Sequence, residues 1–146
     1  MKVKDILKDK GPEVITIHDE KMVFEAMEAL VKNRIGSLLA LDQSGAIVGI
    51  LTERDILYAS YSKHDTLKTT PVREVMTTDL IIGEPEDELD AVENLMSEKR
   101  IRHLPILEQK RLVGLISMGD VVKHQKKVSE FENKHLKDYM LQKYPG

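Results

Sequence analysis

The chain has 146 residues, the size of one ordinary domain, and its 41% hydrophobic and 32% charged residues make a globular composition rather than a disordered one. The absence of cysteine excludes a disulfide framework, a thiolate metal site and a cysteine nucleophile. Net charge is −3, yet from Lys123 onward six lysines face three acids, a surplus of +3 that leaves −6 for the body, and so acidic a body argues against a nucleic-acid surface.

Lys2, Lys4 and Asp5 interrupt any apolar leader at the N-terminus. The longest apolar runs, Leu38 to Leu41 and Ala46 to Leu51, fall far short of the roughly 20 residues of a membrane-spanning helix. A cytoplasmic protein is expected.

Taken in order, Val14 to Ile17 is a short β-branched run and reads as a strand. Val23, Ala26, Met27, Leu30 and Val31 recur at helical spacing, which predicts an amphipathic helix facing a core. Two apolar runs joined at Ser44-Gly45 predict a hairpin, and a short helix follows from Glu53 to about Ala59. Tyr61 to Pro71 is polar and ends in Thr-Thr-Pro, a linker. Beyond it the pattern returns: a strand at Leu80 to Ile82, a helix at Leu89 to Lys99, runs at Leu104 to Leu107 and Arg111 to Ile116, and a helix from Met118. That last helix meets no stop signal until Pro145. Its sparse apolar stripe (Val121, Val128, Phe131, Leu136, Met140) suits pairing with another chain, or folding back on its own domain.

The return is a duplication. Val23 to Leu41 matches Leu89 to Leu107 at an offset of 66, and Gly49-Ile50-Leu51-Thr52 matches Gly114-Leu115-Ile116-Ser117 at 65. The dropped residue falls in the hairpin turn, where it is easily absorbed. The leading segments Val3-Lys4-Asp5-Ile6-Leu7 and Val72-Arg73-Glu74-Val75-Met76 correspond as well. One unit of about 60 residues buries too little surface to be comfortable alone. The expected fold class is therefore α/β with mixed sheets: two βαββα repeats packed about a pseudo-twofold axis, with a C-terminal helical extension. The repeats span 1–62 and 72–123, with 63–71 as linker and 124–146 as tail.

Thr52-Glu53-Arg54-Asp55 and Ser117-Met118-Gly119-Asp120 each follow an apolar strand and open a helix. A helix start offers unpaired N–H groups to a phosphate, the hydroxyl adds a donor, and the acid can accept from the vicinal hydroxyls of a ribose. The same spacing is also close to a capping box, in which both side chains satisfy the helix's own N–H groups. The two functions are not exclusive.

On the residues Gly49-Ile50-Leu51-Thr52-Glu53-Arg54-Asp55, Gly114-Leu115-Ile116-Ser117-Met118-Gly119-Asp120 and Arg102-His103-Leu104-Pro105-Ile106, the chain resembles a tandem cystathionine-β-synthase (CBS) domain pair, a Bateman module. It is similar to the small stand-alone members. The resemblance implies adenosine-containing ligands (AMP, ADP, ATP, NAD or S-adenosylmethionine) held in clefts between the copies. It implies ribose contacts for Asp55 and Asp120 and phosphate contacts for Thr52 and Ser117, with Arg54 in the same set. Ile35-Gly36-Ser37 and Ile101-Arg102-His103 would line the clefts. The copies are unequal: Arg102-His103 can meet a phosphate by charge-assisted hydrogen bonds, or form a solvated loop, where the first copy has Gly36-Ser37. Leu39 also stands where the family pattern and the second copy have proline, Pro105.

The expected function is an adenine-nucleotide-binding regulatory module, a homodimer that modulates a partner protein without catalysis. The alternative is an assembly module with empty clefts. His18, His64, His124 and His135 have no metal-ligand spacing, and no catalytic constellation stands out.

Overall fold

In the computed structural model, which describes residues 1–11 and 13–127, each repeat is organised around a β-hairpin. In chain order the elements are α1 (Val3–Lys10), β1 (Thr16–His18), α2 (Val23–Asn33), β2 (Ser37–Leu41), β3 (Ile47–Thr52) and α3 (Glu53–Ser62). A single 3₁₀ turn (Val72–Glu74) leads to α4 (Leu89–Lys99), β4 (His103–Glu108) and β5 (Arg111–Ser117), and residues 118–127 are helical. The rest of the expected tail, with Val128, Phe131, Leu136 and Met140, lies outside the described residues. No helix among the described residues is long and apolar enough to cross a membrane.

Two packed units result, one from residues 13–81 and the other joining 1–11 to 82–127. In the first, β1 runs parallel to β2 and β3 antiparallel to β2. The apolar stripe of α2 does what its spacing dictates. Ala26 and Leu30 are buried with Leu38, Ala40 and Leu51 in one core. Ser37 to Ala40 are buried without interruption, so β2 is covered on both faces, as a uniformly apolar strand requires. In the second unit α4 buries Leu89, Val92 and Met96, and Leu104, Ile106 and Ile116 are buried on the β4–β5 hairpin. Both long helices end on an arginine in the left-handed conformation, Arg34 at φ 53° and Arg100 at φ 57°. Their N–H groups satisfy the last carbonyls.

The packing does not follow the order of the repeats. α1 opens the first repeat but packs in the unit of the second: Val3 and Ile6 are buried, and Leu7 lies against Gly114 of β5. The 3₁₀ turn opens the second repeat but packs with the first. Val72 belongs to the core of Ala26 and Leu30, and Met76 lies against Gly49 of β3. Thr77 and Ile50 then exchange two backbone hydrogen bonds of 2.9 Å. That exchange pulls the chain straight after Val75, which is why one leading segment is an eight-residue helix and its counterpart a single turn.

One expected strand is corrected. Leu80 to Ile82 is not a strand; a lone parallel bridge forms one residue later, between Gly83 and Ile106. Gly83 donates to the Pro105 carbonyl and accepts from Leu107 N–H, each at 2.9 Å. A parallel ladder would continue with N–H donors at 105 and 85, and both positions are proline, which has none. In the first repeat Leu39 and Asp19 occupy those places. Asp19 N–H donates to the Leu41 carbonyl at 2.9 Å, and β1 reaches three residues.

Candidate functional site

β3 and β5 each run directly into a helix at a hydroxyl-bearing residue. Thr52 keeps extended backbone angles and caps α3. Its hydroxyl accepts from Asp55 N–H at 3.3 Å, and Asp55 Oδ2 accepts from Thr52 N–H at 3.0 Å. At the second junction Ser117 Oγ accepts from Asp120 N–H at 3.0 Å and Asp120 Oδ2 accepts from Ser117 N–H at 2.8 Å. Both tetrapeptides are thus reciprocal capping boxes. The cap fixes each carboxylate in orientation yet leaves it lone pairs, since two carboxylate oxygens offer about four acceptor sites.

The loops before β2 and β4 are tied to these junctions by matching bonds. Glu53 N–H donates to the Gly36 carbonyl at 3.1 Å, and Met118 N–H to the Arg102 carbonyl at 2.8 Å. In the strand register Ser37 stands opposite Thr52, and His103 opposite Ser117. Ile35, Gly36, Ser37, Thr52, Arg54 and Asp55 therefore gather in one unit, and Arg102, His103, Ser117 and Asp120 in the other. Ser37 is buried, Arg54 and Arg102 are exposed, and the other seven are half-buried. Each junction presents the positive end of a helix dipole, with the second N–H of the helix (Arg54 or Gly119) outside the cap and loop bonds, beside a fixed carboxylate. That combination suits a ligand carrying both an anion and a pair of hydroxyls.

Two residues at the junctions escape a motif reading. Thr77 Oγ1 donates to Asp55 at 3.2 and 3.4 Å. Lys10 Nζ donates to Asp120 Oδ2 at 2.7 Å. Burial pushes the Asp120 carboxyl up, but the Lys10 ammonium and the Ser117 N–H outweigh it and hold the group below its usual value. Both residues come from the exchanged leading segments, far from the motifs in sequence. Among the described residues no group of three or more His, Cys, Asp or Glu is placed to hold a metal ion.

The family model of the CBS domain matches the chain twice, over residues 3–62 and 72–127. The chain belongs to the CBS-domain family. The CBS domain-containing protein YhcV of Bacillus subtilis is 34% identical over 113 residues, 77% of this chain and 79% of that protein. The mitochondrial CBS domain-containing protein CBSX3 of Arabidopsis thaliana is 30% identical over 129 residues, 83% of this chain but 63% of its own length. Among solved structures, the CBS-domain containing protein ATU1752 from Agrobacterium tumefaciens superposes with a TM-score of 0.82 at 34% identity, covering 86% of this chain and 99% of that one. The CBS domain pair of protein MJ0100, solved with 5′-methylthioadenosine and S-adenosyl-L-methionine, gives 0.77 at 29% identity, covering 87% and 97%. The mixed α/β architecture expected from the repeat is that of a CBS pair.

Proposed function

We propose that this CBS pair binds an adenosine-containing ligand at its strand–helix junctions and, without catalysis, passes the state of those junctions to a partner protein. The observation that carries the reading is the repeated arrangement: a capped helix start, a fixed carboxylate, and a loop tied to the same turn. Asp55 and Asp120 are assigned to ribose hydroxyls, Thr52 and Ser117 to phosphate. Arg54, Arg102, His103 and the Ile35-Gly36-Ser37 loop line the sites. The adenosine-type ligands of the MJ0100 pair support this class, which includes AMP, ADP, ATP, NAD and S-adenosylmethionine.

The working form is proposed to be a homodimer. Leu57, Tyr58 and Tyr61 lie on one face of α3, at 67%, 65% and 89% exposure. An apolar cluster this open suits contact with another chain.

Calorimetry with AMP, ATP and NAD tests the binding. Saturable uptake of at least one ligand is expected. Asp55→Ala and Asp120→Ala should each weaken it by about 1.5–3 kcal/mol, the worth of hydrogen bonds to a charged group. Each variant should also lose about 1 kcal/mol of stability with its cap. A folded protein that takes up none of these ligands would leave an assembly module as the better reading.

A further inference from the structure

Lys10, the last residue of α1, spends two of its three N–H donors at the second junction, on Asp120 Oδ2 and on the Leu115 carbonyl, both at 2.7 Å. The ion pair is part-exposed, with Lys10 at 39% and Asp120 at 26%, so it adds little to stability. What it changes is the charge the site presents. Ser117-Met118-Gly119-Asp120 contains no second acid, and Lys10 offsets the one it has, with Arg102 in the adjoining loop.

The first junction is built on the same backbone plan but carries the opposite balance. Glu53 stands beside Asp55, and the segment contact to Asp55 comes from the neutral hydroxyl of Thr77. In the register that aligns Val3 with Val72, the place of Lys10 is taken by an acid, Asp79. The carboxylates are equally engaged: Asp55 accepts from Thr52 N–H, the Thr52 hydroxyl and the Thr77 hydroxyl, and Asp120 Oδ2 accepts from Ser117 N–H and from Lys10. The junctions therefore differ in charge, and it is the Ser117–Asp120 junction that carries the added cation. An anionic group arriving there meets a third ammonium N–H and a helix start, with no uncompensated negative charge to oppose it.

We propose that Lys10 is a specificity-determining residue that makes the Ser117–Asp120 junction selective for phosphate-bearing adenosine ligands over neutral ones, a selectivity the Thr52–Asp55 junction lacks. This rests on the adenosine-binding reading above.

The test titrates AMP and adenosine into the full chain carrying Asp55→Asn, so that the second junction dominates, with Lys10 intact, as Lys10→Met and as Lys10→Arg. Lys10→Met should lower the AMP-to-adenosine preference about tenfold, the effect of losing one charge-assisted contact, with adenosine affinity nearly unchanged. Lys10→Arg, which keeps the charge, should restore most of the preference. Equal losses for both ligands in Lys10→Met, with its melting curve unaltered, overturn the proposal. So does a gain in adenosine affinity alone, because Lys10 would then be competing with ribose for Asp120. If the unsubstituted chain binds neither ligand, the adenosine reading itself fails; binding that ignores Lys10 defeats only the selectivity.

Discussion

Leu7 fills the space that a side chain on Gly114 would need, and Met76 stands in the same relation to Gly49. The two glycines are equivalent positions of the duplicated hairpin, and the residues that cover them lead the opposite repeats. Each repeat thus lends its first residues to the packing of the other unit, and those residues carry Lys10 and Thr77 to the junction carboxylates.

The two glycines should respond unequally to alanine. A methyl on Gly49 would meet Met76 Sδ at 2.5 Å and the Thr77 carbonyl oxygen at 3.0 Å, and that oxygen belongs to the bridge that places Thr77 beside Asp55. Backbone yields poorly, so Gly49→Ala should cost about 1–3 kcal/mol. A methyl on Gly114 would meet the tip of Leu7, which can rotate away, and should cost less. Urea unfolding of both variants checks the order. A Gly114→Ala loss as large as that of Gly49→Ala would contradict it.

Acid should weaken the second junction. Asp120 is held below its usual value in the folded chain, so the stability it contributes is present above the unfolded carboxyl value of about 3.9 and is lost as pH falls through the lower folded value. Lys10 is one of the groups holding it down, so Lys10→Met should lose less stability on acidification than the wild type does. Urea midpoints from about pH 6 to about pH 2.5 give the comparison, in which the carboxylates common to both proteins cancel. Parallel acid losses in the two proteins would mean that the pair is not the cause.

The repeat and its elements were legible because hydrophobic period and turn residues act locally. Leu89 to Lys99 is helical as its spacing dictates, and the hairpins fall within a residue of their apolar runs. The shortened strand was legible only in part. The contrast between Leu39 and Pro105 is plain in the sequence, but its consequence needs the partner position, Pro85, which is known only once the ladder register is fixed. The caps could be read from their spacing, whereas Lys10 and Thr77 could not. Lys10 lies 110 residues from Asp120, and nothing local says that the leading segment of one repeat docks with the other.

Dimer formation should depend on α3. Leu57, Tyr58 and Tyr61 expose apolar surface on one helical face, and a buried glutamate there would have no partner. Leu57→Glu and Tyr61→Glu should each shift sedimentation towards the monomer. A chain cut after Lys127 tests the tail's Phe131 and Leu136 separately, and a partial shift is expected. If both glutamate variants sediment as the wild type does, the α3 face is not the contact.

Arg102 should read phosphate. Its carbonyl is fixed by Met118 N–H at 2.8 Å, so the residue is anchored beside the start of the second junction's helix while its side chain remains exposed. A guanidinium can hold two phosphate oxygens at once, and the positive end of the helix dipole lies at the same turn. Arg102→Ala should therefore reduce AMP affinity by about 1.5–3 kcal/mol and leave adenosine within about 0.5 kcal/mol. It should do so without disturbing the fold, because the bond that anchors the loop uses the backbone carbonyl, which alanine keeps. A solvated loop residue would instead leave both ligands within that smaller margin. Titrating both ligands into the wild type and the variant separates the two outcomes, and an equal loss for AMP and adenosine would mean that Arg102 shapes the loop rather than reading the phosphate.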